Sequence, residues 1–530
     1  MYKRQAYWVS ETIRNIFKIG ILSDFVPVRK GIDTGKNELF LRFWHEVSFS
    51  KFSHLSFERK WFIYIKGGTL RKWYGNVDLI VNWENNGQDI KNYKGSTIRN
   101  QSFIKKEAIT WSLTGSNGFG ARYIPINCVF DNNGSSVFPL KNFEFILGSL
   151  NSIVSETILA ILNPTLAFQV GDIARLPIKW DNDFRQKEII KSNISISKTD
   201  WDSHEISWGF TESPLINDYK KISKSYEKWL TDVTRDFFQL HTNEEELNRI
   251  FIEIYGLQNE LTPEISLKNI TILQDELDYN ALEQLRPPYE GQLVPVKRTV
   301  VMQQLISYAI GCFMGRYRLD KPGLQIAHPN PTKDETAGYS YNECSFEIDD
   351  DGIVPIMGSG CDFPDDAVTR FKNFLDVVWG EDTRIENVNF LQECLDQDVE
   401  KFMVKDFWKV HCKMYSKKPI YWLFSSPKGA FQVLAYMHRM NAFTVEKIRS
   451  KYLIEHLKSL RSKISLLEKS ESSLSATESR VLDKLRRDIQ ECEHYDMTLK
   501  TVADMQINFD LDDGVTENYK LFKGVVAEIK

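Results

Sequence analysis

Apolar and aromatic residues come in short runs over the first 180 positions. FLRFWHEV (40–47), KWFIYI (60–65) and DLIVNW (78–83) are rich in β-branched and aromatic side chains. Clusters of Gly, Asn and Asp bound them: GIDTGKN, KGG, ENNG and DNNGSS. Such runs predict strands joined by turns, because glycine takes positive φ freely and Asn and Asp tolerate it. The period changes at 142–162. There NFEFILGSLNSIVSETILAIL places Ile146, Leu150, Ile153 and Ile158 near one face of a helix. Asn163-Pro164 ends it, since proline has no N–H to donate to the helical ladder.

Residues 181–290 alternate charged and apolar positions at helical spacing, and 297–317 are apolar around their middle, which predicts a buried helix. YNECSFEIDDDGIVPI predicts a hairpin around Asp350, Asp351 and Gly352. Residues 364–415 return to helix. KKPIYWLFSSPKGAFQVLAYMH (417–438) reads as a buried strand, a turn at Ser426-Pro427-Lys428-Gly429, and a strand or helix. From 444 to 500 the leucines step by three and four: Leu453, Leu457, Leu460, Ile464 and Leu467, then Leu482, Leu485, Ile489 and Cys492 after the polar break KSESS. Ser475 and Glu478 fit a capping box. The two periodic stretches predict an antiparallel helical hairpin.

The expected class is α+β. A mixed strand-rich domain (1–180) is followed by a helical linker domain (181–295), an α+β module (296–443), and a helical hairpin with a C-terminal tail (444–530).

Charge changes this picture. The chain of 530 residues carries a net −5, but its first 140 residues hold 20 Lys and Arg against 11 Asp and Glu, and 24 of the 67 aromatic residues. Lys and Arg track phosphates and aromatic rings stack on bases, so this part suits nucleic acid; the bland alternative is an aromatic core with a solvated basic face. Seven cysteines, nowhere closer than 17 residues apart, exclude a zinc knuckle and suit the reducing cytoplasm. No apolar run is long enough to span a bilayer.

The familiar catalytic strings are missing. There is no GxxxxGK[ST], GxSxG, HExxH or GxGxxG. An adenine methyltransferase needs an Asn/Asp-Pro-Pro-Tyr/Phe loop to hold the exocyclic amine of a flipped base. The nearest string here is Arg286-Pro287-Pro288-Tyr289, and arginine cannot accept that amine's hydrogen bond. It reads as a linker turn. Asp349, Asp350 and Asp351, and Asp362, Asp365 and Asp366, would suit a metal nuclease only with a lysine beside them. Turns and helix N-termini explain them as well. Asp510-Leu511-Asp512-Asp513-Gly514 lacks the alternating carboxylates of a calcium loop. No catalytic or metal-ligating residue is assigned.

Several blocks resemble known sequences. Gly31-Ile32-Asp33-Thr34-Gly35-Lys36-Asn37-Glu38-Leu39-Phe40-Leu41-Arg42 resembles the opening of a target-recognition domain in fused adenine methyltransferases. KGG (66–68), RKWYGN (71–76), NWENNG (82–87), ITWSLTGSNGFGARY (109–123) and 147–177 follow the same pattern. WDSHEISW (201–208), SYAIGCFMGRYRLDKPGL (307–324), 417–440 and NFDLDDGVTENY (508–519) resemble the BREX (bacteriophage exclusion) adenine-specific DNA methyltransferase family, PglX. The resemblance is to the C-terminal half of that family. It implies a recognition part for an enzyme that methylates N6 of adenine in a short site and so marks self DNA in phage defence. It also implies that S-adenosylmethionine belongs to a missing N-terminal domain, with no cofactor held by this chain. Implied partners are double-stranded DNA, that methyltransferase domain or subunit, and other BREX proteins, with no membrane. Whether this chain is itself an enzyme stays open. The alternative is a scaffold subunit of a BREX complex without sequence-specific readout.

DNA-contacting candidates follow. Gly31, Thr34, Gly35 and Asn37 form a polar loop of the kind that reaches phosphate or base edges. Lys66, Arg71, Lys72 and Trp73 alternate base and aromatic around Gly67-Gly68, as a phosphate-contacting hairpin does. Asn117 and Arg122 flank Gly118 and Gly120, and Asn and Arg read adenine and guanine by paired hydrogen bonds. Arg316, Tyr317 and Arg318 follow the buried helix, where cations complement its C-terminal carbonyls.

Overall fold

The computed structural model describes residues 9–52, 59–114, 118–163, 165, 167–181, 186–358, 360–469 and 474–529. It is an α+β fold of two compact units. The first comprises Met1–Trp44, Lys51–Trp208 and Lys228–Lys297; the second comprises His45–Ser50, Gly209–Glu227 and Arg298–Lys530. Residues on both sides of position 180 therefore share the first unit, and those on both sides of 443 share the second.

The strands of the first unit are β1 (Val28–Arg29), β2 (Leu41–Phe43), β3 (Trp61–Ile65), β4 (Leu79–Asn82), β5 (Ala108–Trp111), β6 (Ala121–Ile124), β7 (Val129–Phe130) and β8 (Ser136–Val137). The three aromatic runs each contain one of them, β2, β3 and β4, as their pattern predicts. One sheet has the order β1-β8-β5-β6 and is antiparallel throughout, with Ile109 opposite Val137 and Tyr123. The other has the order β2-β4-β3-β7, and its β3/β7 pair is parallel. All five residues of β3 are buried, which is why it reads as an unbroken apolar run rather than an alternating one.

The stretch 142–162 is not one helix but two, Phe143–Asn151 and Ile153–Leu162, bent by 65°. Ser152 makes the break. Its hydroxyl accepts from Ser155 N and donates to Ser149 O, and Asn248 Oδ1 takes up the Ile153 N–H at 2.8 Å. Local side-chain bonds of this kind compete with the helical ladder. The apolar face packs inward: the Phe145 ring stacks on Trp180, 5.2 Å between centroids, and meets Phe251 at 5.5 Å. Among the described residues no single helix is long and apolar enough to cross a membrane. The helix Lys187–Asp202 follows, then the long helix Ile222–Tyr255. Beyond it, residues 256–297 are mostly irregular, where helix was expected.

In the second unit the helix Arg298–Phe313 is buried over most of its length, as predicted. The hairpin near 350 lies earlier than expected. Strands β9 (Tyr339–Tyr341) and β10 (Cys344–Phe346) turn at Asn342-Glu343, both at positive φ, while 349–352 is a turn leading into β11 (Ile353–Pro355). β12 (Tyr421–Ser425) and β13 (Gln432–Tyr436) form the expected hairpin, and the sheet order is β11-β13-β12. The helices Ile454–Glu468 and Ala476–Asp504 form the predicted helical hairpin, opened by the Ser475–Glu478 capping box. Leu457, Leu460, Leu482, Cys492 and Leu499 are buried in its seam. Arg461–Glu493 and Arg486–Glu468 pairs, each 2.8 Å, tie the two helices together at the surface.

Arg316 does not cap the helix before it. It is fully buried, with Nη1 donating to Tyr436 OH at 2.9 Å and Nε to Tyr317 OH at 3.1 Å. Arg318 pairs with Asp320.

Candidate nucleic-acid interface

Several predicted residues converge where the β3/β7 pair of the first unit ends. β3 runs into Lys66-Gly67-Gly68, and β7 runs into Asp131-Asn132-Asn133-Gly134. The loop after β1 runs beside the end of β7. Asp131 N donates to Ile65 O (2.8 Å), Ile32 N to Phe130 O (2.9 Å) and Asn132 N to Ile32 O (2.8 Å). Gly31 is required here, because a Cβ on it would sit 2.1 Å from the Phe130 carbonyl oxygen.

Asp131 organises the junction. Its Oδ1 accepts from Asn133 N at 2.6 Å and its Oδ2 from the buried Tyr64 hydroxyl at 2.5 Å. Burial raises its pKa, against those bonds and the Lys66 charge. Neither Asp131 nor Tyr64 was singled out from the sequence; the DNNG turn and the all-apolar β3 were the signals available.

The loop Gly31–Asn37 is braced from the other side. Asp33 and Thr97 exchange backbone hydrogen bonds, both 2.8 Å. Gly35, at φ +70°, lies so close to Gly95 that a Cβ would come within 2.7 Å of its carbonyl carbon. Asn100 Nδ2 donates to Lys30 O at 2.9 Å. Within the loop Thr34 is 1% exposed and donates to Asn37 Oδ1 at 2.8 Å, so it holds shape rather than facing a ligand. Gly35 and Asn37 are exposed, and Lys66 is partly so.

Among the described residues, Arg71, Lys72, Trp73 and Arg122 are buried or nearly so and bonded inward. Arg71 is 7% exposed. Its Nη1 lies 2.8 Å from Asp200 Oδ2, and its guanidinium sits over the Trp201 ring, 4.9 Å from the centroid. Lys72 Nζ lies 2.7 Å from Glu244 Oε2, and the buried Trp73 donates Nε1–H to Glu244 Oε1 at 2.7 Å. These three hold strand-rich residues against the helices that follow. Arg122 is 1% exposed and donates to Ser112 Oγ at 3.2 Å; burial and the Arg71 charge push its pKa down to about 10. A side chain so enclosed does not reach a DNA groove from this arrangement. Asn117 lies outside the described residues.

Over this whole chain, the comparisons with known proteins point one way. The chain is similar to adenine-specific methyltransferases. It is 35% identical over 551 aligned residues, 99% of the chain, to the adenine-specific methyltransferase BrxX of Escherichia coli O9:H4 (strain HS). It is 34% identical, over 97% of the chain, to the adenine-specific methyltransferase PglX of Lacticaseibacillus casei (strain Zhang). The chain spans about half the length of the curated relatives it matches, 45% and 44%. No family model matches it.

The carboxylate clusters of the second unit hold turns, a lysine and a helix start. Asp349 Oδ1 accepts from Asp351 N, Gly352 N and Ile353 N, closing the turn before β11. Burial and the Asp351 charge push its pKa up to about 7. Lys451 lies 3.1 Å from Asp350 and 2.9 Å from Asp351. The lysine that a nuclease would need is thus present, but as an ion-pair partner of the two carboxylates. Asp366 caps the helix Ala367–Trp379 and also receives Met357 N and Gly358 N. Asp510 takes up Asp512 N. Arg286-Pro287-Pro288-Tyr289 lies in a loop of the first unit, with Tyr289 stacked on Phe238 and Arg286 donating to the carbonyls of Glu283 and Leu285.

Proposed function

We propose that this chain is the DNA-recognition part of a BREX adenine-N6 DNA methyltransferase, corresponding to its C-terminal half, with residues 1–180 placing the duplex. The observation that carries the reading is the 35% identity to an adenine-specific methyltransferase over 99% of the chain. The loops braced on Asp131 support it, because they hold exposed polar and cationic side chains on a rigid sheet end rather than on a free tip. Phosphate contacts from such loops fix register on a duplex, and base contacts in a groove choose the sequence. The methyl donor, S-adenosylmethionine, belongs in this reading to the methyltransferase domain or subunit that partners the chain. The sequence has neither a GxGxxG loop nor an Asn/Asp-Pro-Pro-Tyr/Phe string, so this chain by itself transfers no methyl group. Other BREX proteins and a cytoplasmic setting come with the same reading.

The test is fluorescence anisotropy of the chain with labelled duplexes at several salt concentrations, beside an incubation with labelled S-adenosylmethionine. Salt-sensitive duplex binding without methyl transfer is expected. Absence of duplex binding at low salt removes the recognition reading and leaves the scaffold alternative. Label in adenine refutes the assignment of catalysis to a partner.

A further inference from the structure

The loop that braces Gly31–Asn37 carries chemistry of its own. Residues 91–100, KNYKGSTIRN, contain three cations and no carboxylate, and residues 30–37 add Lys30 and Lys36 against the single carboxylate Asp33. The two segments are joined by the Asp33–Thr97 hydrogen-bond pair, by Asn100 on the Lys30 carbonyl, and by the close Gly35–Gly95 contact. That last contact fixes Lys36, which follows Gly35, beside Lys94, which precedes Gly95. Lys91 stands one helical turn earlier, on the helix Glu84–Asn92. Arg99 precedes the Asn100 that holds Lys30. The rings of Tyr93 and Phe40, which follows the first segment by three residues, meet edge to face 5.4 Å apart.

Lys36, Lys91, Lys94 and Arg99 are all exposed, and none makes an ion pair with a described residue. Of the flanking carboxylates, Asp33 accepts from Gly35 N and Asp89 from Asn82, while Glu38, two residues past Lys36, is exposed and forms no ion pair with a described residue. This contrasts with Arg71 and Lys72 in the same unit, whose charges are neutralised in the interior. Four cations held on two cross-linked loops, with no ion-pair partner among the described residues, form a positive rim. Its spacing is set by backbone hydrogen bonds rather than by long flexible side chains alone.

Resting on the DNA-recognition reading, we propose that Lys36, Lys91, Lys94 and Arg99 are the phosphate-contacting rim of this chain, seating a duplex by its backbone beside the exposed Gly35 and Asn37. Three of these four residues lie in a segment that carries none of the predicted contacts. The rim supplies affinity and register and leaves sequence choice to other side chains, since a phosphate looks the same at every base pair.

The experiment compares the intact chain with a variant carrying Lys36→Ala, Lys91→Ala, Lys94→Ala and Arg99→Ala. A second variant has the three lysines changed to Arg. Anisotropy on specific and scrambled duplexes across a salt series gives the slope of log affinity against log salt. Losing four phosphate contacts lowers that slope by about 3.6, at about 0.9 each, equally on both duplexes. The Arg variant retains the wild-type slope, and circular dichroism melting of both matches the intact chain. If wild-type chain binds duplex and the Ala variant keeps its slope to within one contact, this proposal is overturned while the recognition reading stands. If wild-type chain binds no duplex, the recognition reading itself fails. Binding of single-stranded RNA in preference to duplex overturns the proposed partner.

Discussion

Replacing Arg71 by alanine separates an internal tie from a DNA contact. The pair is short and enclosed: Arg71 Nη1 to Asp200 Oδ2 is 2.8 Å, with side chains 8% and 4% exposed. Removing the guanidinium leaves Asp200 charged in a site that water barely reaches. Breaking a buried pair from one side costs about 3–5 kcal/mol. Two features set where in that range the cost falls. Asp200 Oδ1 keeps the Leu273 N–H at 2.7 Å, which lowers it. The contact with the Trp201 ring is lost as well, adding about 1 kcal/mol. A loss of about 4 kcal/mol is expected. Urea unfolding followed by far-UV circular dichroism and by tryptophan fluorescence measures it, since Trp73 and Trp201 flank the pair. Arg71→Met with Asp200→Leu removes both charges at similar volume and recovers most of the loss, because no uncompensated charge remains. A surface phosphate contact behaves in the opposite way: stability changes by no more than about 0.5 kcal/mol and the salt slope of DNA binding falls by about 0.9. That second pattern would refute the reasoning.

Leu460→Asp puts a charge into the seam of the helical hairpin and should cost about 3 kcal/mol or more, read as a lowered melting temperature; an unchanged one would remove the seam assignment. Buried histidines in the two units should respond to pH with opposite sign. His411 and His438 in the second unit are held down to about 3 by burial and the Arg316 charge. Below the unfolded value of about 6.5 the unfolded chain binds protons that the folded one refuses, so stability falls with pH. At pH 5 the two together cost about 4 kcal/mol, partly offset by Asp349, whose pKa of about 7 favours the folded state as pH falls, so urea titrations at pH 5 and 7.5 on an Asp349→Asn background should show the histidine loss. In the first unit burial lowers His204, but the Glu276 charge and hydrogen bond outweigh it and raise the pKa to about 9. That stability is present below about 6.5 and is lost as pH climbs through 9, amounting to about 3 kcal/mol. Glu276→Gln should abolish the alkaline loss; persistence of the loss would place its origin elsewhere.

Strand positions were legible because their signal is local. β2, β3 and β4 lie within the three aromatic runs, and the capping box at Ser475 opens its helix where the sequence places it. Partners were not legible. A string such as RKWY reads the same whether it faces solvent or the interior, and the residues that decide are 129 positions away for Arg71 and 172 for Lys72. The break at Ser152 has the same cause: its competing acceptor is Asn248, 95 residues on. The pairing of residues 30–37 with 91–100 depends on the close Gly35–Gly95 approach, and no periodicity announces that.

This bears on how charge along a sequence turns into charge presented to a ligand. The first 140 residues are strongly basic and the remainder acidic, which invites the picture of a positive face. In the folded first unit part of that asymmetry cancels internally. Arg71 and Lys72, from the basic part, are neutralised by Asp200 and Glu244, from the acidic part. Buried pairs of this kind project little field, because each cation lies within hydrogen-bonding distance of its counter-ion. What remains to attract a polyanion is the subset with no counter-ion at the surface. On the loops around Gly35 and Gly95 that subset is Lys36, Lys91, Lys94 and Arg99. A count along the chain weights all 20 cations of the first 140 residues equally, whereas a duplex meets only those outside the ion pairs. The salt slope of DNA binding should therefore follow these loops and be indifferent to Lys72, whose loss should appear in the unfolding curve instead.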